Sequence, residues 1–222
     1  MAVTSPRPPA EERLRARTIL GRLKKRYPEA STALEYRDPW QLLVATVLSA
    51  QTTDANVNRV TPRLFARWPL PEDLAAADPE EVEAVVYSTG YYRQKARSII
   101  ALSADIVERF AGEVPMDLGT LTSLRGVGRK TASVVLAEAF RRPAIAVDTH
   151  VGRLARRLGL SRERDPAKVE SDLRSLYPPR EWAGISMRFI LFGREVCTAR
   201  RPRCGACPLV DRCPYPDKTP VG

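Results

Sequence analysis

The chain has 222 residues, 44% of them hydrophobic, which is enough for one large or two small domains with a real core and excludes disorder as its overall state. A formal net charge of +10 points to a polyanionic partner, with nucleic acid ahead of an anionic membrane surface. No apolar run reaches transmembrane length and the opening MAVTSPRPPAEERLR has no apolar signal core, so the expected protein is soluble and cytoplasmic, without a membrane partner.

In chain order, residues 1–10 carry three prolines and read as a disordered tail. An amphipathic run follows over Leu14 to Tyr27. Asp38-Pro39, Asp78-Pro79 and Asp165-Pro166 each precede an apolar-periodic run, the pattern of an N-cap with proline at the first helical position. The run WQLLVATVLSA from Trp40 is apolar almost all round, as in a helix buried in a globular core. Further helical runs span Asp54 to Phe65, Val82 to Tyr87, Arg93 to Phe110, Ala132 to Phe140, Val151 to Leu158, Val169 to Leu176 and Trp182 to Phe192. Strand signals are nearly absent, so the fold class is all-α. Gly159 and Leu160 stand where a Schellman stop needs them, and AGEVP and RRPAIAVD punctuate two further boundaries.

The stretch LRGVGRKTASVVL is an unusual way to begin a helix. The short apolar turn of Leu118, Leu121 and Leu124, the two glycines and the run behind them read as helix, hairpin, helix. Gly126 and Gly128 permit tight or left-handed backbone, and the free N–H groups that follow make an anion site. Arg129 and Lys130 put two cations at the positive end of the helix dipole, which is unfavourable unless something negative docks; a phosphate fits. At about 100° per residue, Ala132, Val135, Leu136 and Ala139 share one face and Lys130 points the other way, as a solvated or phosphate-contacting lysine does. Only six of the 36 basic residues are lysine, which makes its position here mildly informative.

In AVDTHVGRLARRLGL, Asp148 reads as the N-cap of the next helix, a role compatible with chemistry because a carboxylate there is held rigidly. His150 reads as a surface or packing residue. All four cysteines, Cys197, Cys204, Cys207 and Cys213, fall in one C-x6-C-x2-C-x5-C segment. Disulfides do not suit an intracellular chain, and zinc ribbons pair their ligands with a longer spacer, so the spacing favours an iron–sulfur cubane over structural zinc. Arg200, Arg201 and Arg203 in the same loop either offset the cluster's negative charge or face a phosphate backbone.

The hairpin LRGVGRKTA, the VDTH after a proline-containing loop, the cysteine spacing and the early LLVATVLSAQTTD, in this order, resemble the endonuclease III family of DNA glycosylases over nearly the whole chain. The resemblance implies two lobes: a six-helix barrel domain over residues 31–142, and a cluster domain that joins residues 11–30 to 143–222, with DNA in the cleft between them. It implies excision of oxidised pyrimidines followed by cleavage at the abasic site, with a monomer acting on double-stranded DNA at the nucleoid. Lys130 then takes the nucleophile position and Asp148 that of the essential carboxylate. Gln51 takes the place of the residue that fills the gap left by the flipped nucleotide, and the four cysteines those of the 4Fe-4S ligands. DNA contacts extend to Gly126, Gly128, Arg129, Arg200, Arg201 and Arg203. Three positions depart from the family pattern: Arg125 stands where proline is common and makes the hairpin more cationic, Thr122 replaces a carboxylate, and Tyr91 stands where an apolar wedge is expected. An adenine-type monofunctional glycosylase, which lacks the hairpin lysine, and a non-catalytic iron–sulfur redox sensor on the same scaffold are the competing readings.

Overall fold

The computed structural model describes residues 8–219. Eleven α-helices occur among them: α1 Ala10–Arg26, α2 Pro39–Leu48, α3 Asp54–Arg67, α4 Pro71–Ala75, α5 Pro79–Val86, α6 Tyr92–Phe110, α7 Leu118–Thr122, α8 Arg129–Glu138, α9 Thr149–Arg157, α10 Pro166–Leu176 and α11 Pro179–Glu195. No strand occurs among the described residues. The expected tail lies largely outside them, and at its end Ala10 already opens α1 behind Pro8 and Pro9. Proline disfavours helix in the residue before it, not after it, which is why the helix begins one residue early.

The helix starts follow from local chemistry. Asp38, Asp78 and Asp165 each sit before a proline and accept backbone N–H bonds from Gln41, Glu80, and both Ala167 and Lys168. Such caps are each worth about 1 kcal/mol relative to alanine. α9 ends as its sequence requires: Leu160 N donates to Ala155 O at 2.8 Å and Gly159 N to Arg156 O at 3.0 Å, with Gly159 at φ +61°. The single turn α4 has no counterpart among the sequence signals. Five residues are too few to show a 3.6-residue period, and its start rests on Pro71 and on Asp73, whose carboxylate accepts from Leu70 N.

The chain forms two compact units, one spanning Thr32–Arg142 and the other combining the chain up to Ser31 with that from Pro143 onward. In the first, α2 is buried all round, with Leu42, Leu43 and Leu48 fully enclosed. The buried Trp40 of α2 tilts against Phe65 and donates through Nε1 to Ser103 Oγ at 3.1 Å, so the one polar atom of the ring is satisfied. α4 and α5 pack on α6, and α7 and α2 pack on α8. In the second unit α1, α9, α10 and α11 enclose a core that includes Ile19, Leu23, Leu154, Leu173, Phe189 and Phe192. Each core leucine or phenylalanine removed from water contributes about 1.5–3 kcal/mol, which makes these helices rigid supports for the loops they carry.

Candidate functional site

In the Thr32–Arg142 unit, α7 and α8 are joined by the tight turn Ser123 to Gly128. Leu121, Leu124 and Val127 are buried, and Val127 N closes the turn on Leu124 O at 3.1 Å. Gly126 sits at φ +78°, and a Cβ there would lie 3.0 Å from Ser98 Cβ, so this glycine is required twice over. Gly128 corrects the expectation that both glycines serve backbone shape. Its φ is −85°, it caps α8 without a side chain, and a Cβ built on it would meet nothing within 4 Å. Nothing inside the protein demands glycine at 128; a bare backbone there leaves the first amides of α8 open to an anion approaching from outside.

Lys130 lies in the first turn of α8, exposed, with no hydrogen bond or ion pair to any described residue. Arg129 is exposed beside it. Arg125 does not make the hairpin more cationic as expected. Its Nε donates to Asp105 Oδ1 at 2.9 Å and its backbone N to Asp105 Oδ2 at 2.8 Å, so its charge is matched locally. Burial pushes the Asp105 carboxyl up, but the hydrogen bonds from Arg125 outweigh it and hold the group below its ordinary value. The partners lie 20 residues apart, which is why the pair was invisible in sequence. The Thr122 hydroxyl turns back on its own helix, donating to Leu118 O and Gly119 O, both at 2.9 Å.

Gln51 and Tyr91, in the same unit, share a backbone peculiarity. Four non-glycine residues among those described have positive φ: Gln51 at +56°, Tyr91 at +49°, Ala111 and Arg141. Ala111 and Arg141 follow α6 and α8, the ordinary place for a left-handed residue. Tyr91 instead stands before α6, and Gln51 lies in the turn between α2 and α3. A left-handed side-chain-bearing residue costs about 1–2 kcal/mol. Both side chains are exposed, Tyr91 to 64%, so neither conformation is repaid by burial.

In the other unit, Asp148 ends the buried run Ala144–Val147 and caps α9, accepting from Val151 N at 2.8 Å. His150 is held by Arg153, whose Nη2 lies 3.0 Å from its Nδ1, and burial lowers its pKa, leaving it a neutral packing residue. α9 also anchors the cysteine loop. Arg153 donates to Gly193 O and Cys197 O, and Arg157 to Thr198 O at 2.7 Å, Ala199 O at 2.8 Å and Cys197 Sγ at 3.4 Å. These two arginines, four apart on one helix, were legible only as part of an amphipathic run; their partners lie 40 to 44 residues away.

The four thiols are free and line one cavity together with Arg157 and Tyr215. Burial pushes the Cys207 and Cys213 thiols up, and crowding by the other cysteines adds to it, so four thiolates need a cationic centre among them. Four thiols spread around one cavity fit a multinuclear iron–sulfur cluster, each iron taking one sulfur, better than a single tetrahedral zinc. The Arg200 and Arg201 side chains in this loop are exposed and have no hydrogen-bond or ion-pair partner among the described residues, and Arg203 is exposed beside them.

Residues 44–179 match the model of the HhH-GPD superfamily of base excision DNA repair proteins, and residues 197–213 that of the iron–sulfur binding domain of endonuclease III. A Synechocystis relative described as endonuclease III is 50% identical over 92% of this chain and 94% of its own, and one from Bacillus subtilis is 47% identical over 87% and 89%. A solved endonuclease III trapped as a covalent intermediate with DNA superposes with a TM-score of 0.87 at 46% identity, covering 91% of this chain and 95% of that one. The chain belongs to the endonuclease III family of the HhH-GPD superfamily, and the C-terminal cysteines are those of its 4Fe-4S domain. No helix among the described residues is long and apolar enough to cross a membrane.

Proposed function

We propose that this chain is a bifunctional base-excision repair enzyme that removes oxidised pyrimidines from double-stranded DNA and cuts the strand at the resulting abasic site, acting as a monomer in the cytoplasm at the nucleoid. The observation that carries the reading is Lys130: exposed, unpaired, in the first turn of a helix with a bare glycine cap, in a chain 46% identical to an enzyme trapped covalently on DNA. A Lys130 amine in its neutral form attacks the sugar C1′ as the base departs with its electron pair and takes up a proton, and the C1′–O4′ bond then breaks to open the ring and give a Schiff base; a guanidinium, which never deprotonates, has no such route. The Schiff base acidifies the adjacent C2′ proton. Its loss expels the 3′ phosphate by β-elimination, and hydrolysis frees the lysine. The charge on Asp148 stabilises positive charge developing on the sugar and assists proton transfer. Cys197, Cys204, Cys207 and Cys213 would hold the 4Fe-4S cluster, which would tie the four thiolates together and order their loop.

A strand-nicking assay on duplexes with one oxidised pyrimidine, one abasic site or no lesion tests this function. Nicks at the first two and none at the third are expected. Base release without nicking would assign the monofunctional activity instead, and binding without either would leave only a sensor.

Two residue groups have their own expectations. Extruding a nucleotide costs a few kcal/mol of unstacking, and the exposed, pre-strained Tyr91 recovers part of it by stacking in the vacated space. At about 1–3 kcal/mol per stacked ring, Tyr91→Ala should slow base excision roughly tenfold or more while largely sparing cleavage of a preformed abasic site. Equal loss on both substrates would contradict a wedge role. Replacing Arg200 or Arg201 by alanine should weaken binding to damaged and undamaged duplex alike and flatten the salt dependence by about one unit per lost phosphate contact; an unchanged slope would leave them a local charge-balancing role.

A further inference from the structure

Gln51 and Tyr91 stand 40 positions apart, on different loops, yet one side chain ties those loops together. Asn56, in the first turn of α3, donates from Nδ2 to Thr52 Oγ1 at 3.0 Å and to Ser88 O at 2.8 Å. Its Oδ1 accepts from Arg59 Nη2 at 3.1 Å, which fixes the amide's orientation, and its backbone N is pinned by Thr53. Both amide hydrogens and one lone pair of Oδ1 are therefore committed. Thr52 is the residue after Gln51, and Ser88 lies three before Tyr91. From the opposite side the buried Lys95 donates through Nζ to Thr89 O at 2.7 Å, and its backbone N holds Tyr91 O at 3.0 Å. Successive carbonyls of the segment leading to Tyr91 are thus gripped by α3 and by α6.

We propose that Asn56 is a positioning residue that sets the spacing between Gln51 and Tyr91, the two side chains that enter the DNA stack. The inference rests on the roles given to those two residues above. A left-handed residue relaxes toward ordinary φ unless its surroundings hold it, and relaxation at either loop would swing an exposed side chain away from its partner. Preorganisation by a bridge far from the reacting sugar affects how readily the base is extruded and leaves the chemistry at C1′ alone. Asparagine suits the task because one Nδ2 serves two acceptors, which a carboxylate of the same shape would repel.

The test uses the full-length protein and Asn56→Leu, near in volume and without donors, alone and in a Tyr91→Ala background. Single-turnover base excision should fall roughly tenfold, cleavage of a preformed abasic site should stay within about twofold, and the fluorescence rise of 2-aminopurine placed beside the lesion should slow in step with excision. In the Tyr91→Ala background the same substitution should cost clearly less than it does alone, because only Gln51 remains to be aimed. Thr52→Val, which removes one of the two acceptors, should show a smaller version of the same pattern and serves if Asn56→Leu does not fold. Equal slowing on both substrates, or full additivity with Tyr91→Ala, would mean that Asn56 only stabilises the fold and would overturn the proposal. Tyr91→Ala that slows excision beside an Asn56→Leu of unchanged rate overturns the positioning role alone. Tyr91→Ala without effect removes the wedge reading itself, and the inference with it.

Discussion

Substituting Lys130 by glutamine is expected to reduce strand cleavage at an abasic site by at least about a thousandfold, because it removes the only group assigned to form the covalent intermediate. The rest of the molecule should hardly notice. Lys130 is exposed and makes no hydrogen bond or ion pair with a described residue, so the fold loses no contact and stability should change by less than about 0.5 kcal/mol. Glutamine keeps a chain of similar reach on the same exposed helix turn. DNA affinity should fall by no more than about the worth of one phosphate contact, since the chain keeps 35 of its 36 Lys and Arg residues. Gel-shift binding together with single-turnover cleavage measures both quantities. A variant that binds weakly and cleaves in proportion would make Lys130 a phosphate contact, the alternative left open by helix position alone.

The second large effect belongs to Asp148, where two roles share one carboxylate. As N-cap of α9 it accepts from Val151 N at 2.8 Å. Asparagine caps helices about as well as aspartate, so Asp148→Asn should retain that bond and lose only the favourable charge at the helix terminus, about 0.3–1 kcal/mol. Base excision should nonetheless fall by about a hundredfold or more, the range for removing a proton-transfer or charge-stabilising group. Asp148→Ala should cost about 1 kcal/mol of stability as well. Thermal melting beside single-turnover excision separates the roles: if Asp148→Asn works at the normal rate, the residue is a cap and nothing more.

The parts of this protein that were legible in sequence are those written by local chemistry. Asp before Pro at 38, 78 and 165 marks three helix starts, Gly159 marks a helix end, and four cysteines within one short segment mark a cluster loop, because each signal depends on residues a few positions apart. What remained hidden depends on distance along the chain. The pairing of Arg125 with Asp105 offsets one of the cations of the hairpin, and Asn56 reaches across 32 residues to Ser88. Gly128 shows a subtler limit. The sequence presents two equivalent glycines, and only backbone geometry separates Gly126, forced by its left-handed φ and by Ser98, from Gly128, which the protein's own packing leaves unconstrained. The left-handed conformations of Gln51 and Tyr91 carry no sequence signature either, since glutamine and tyrosine are not residues that announce positive φ.

Borohydride trapping tests the central claim most directly, because reduction of a Schiff base converts a transient intermediate into a stable amine. Incubation of the protein with an abasic duplex and borohydride should give one covalent protein–DNA adduct, mapped by peptide mass spectrometry to Lys130, and Lys130→Gln should give none while still binding the duplex. Full trapping by Lys130→Gln, with the adduct on another amine, would contradict the mechanism.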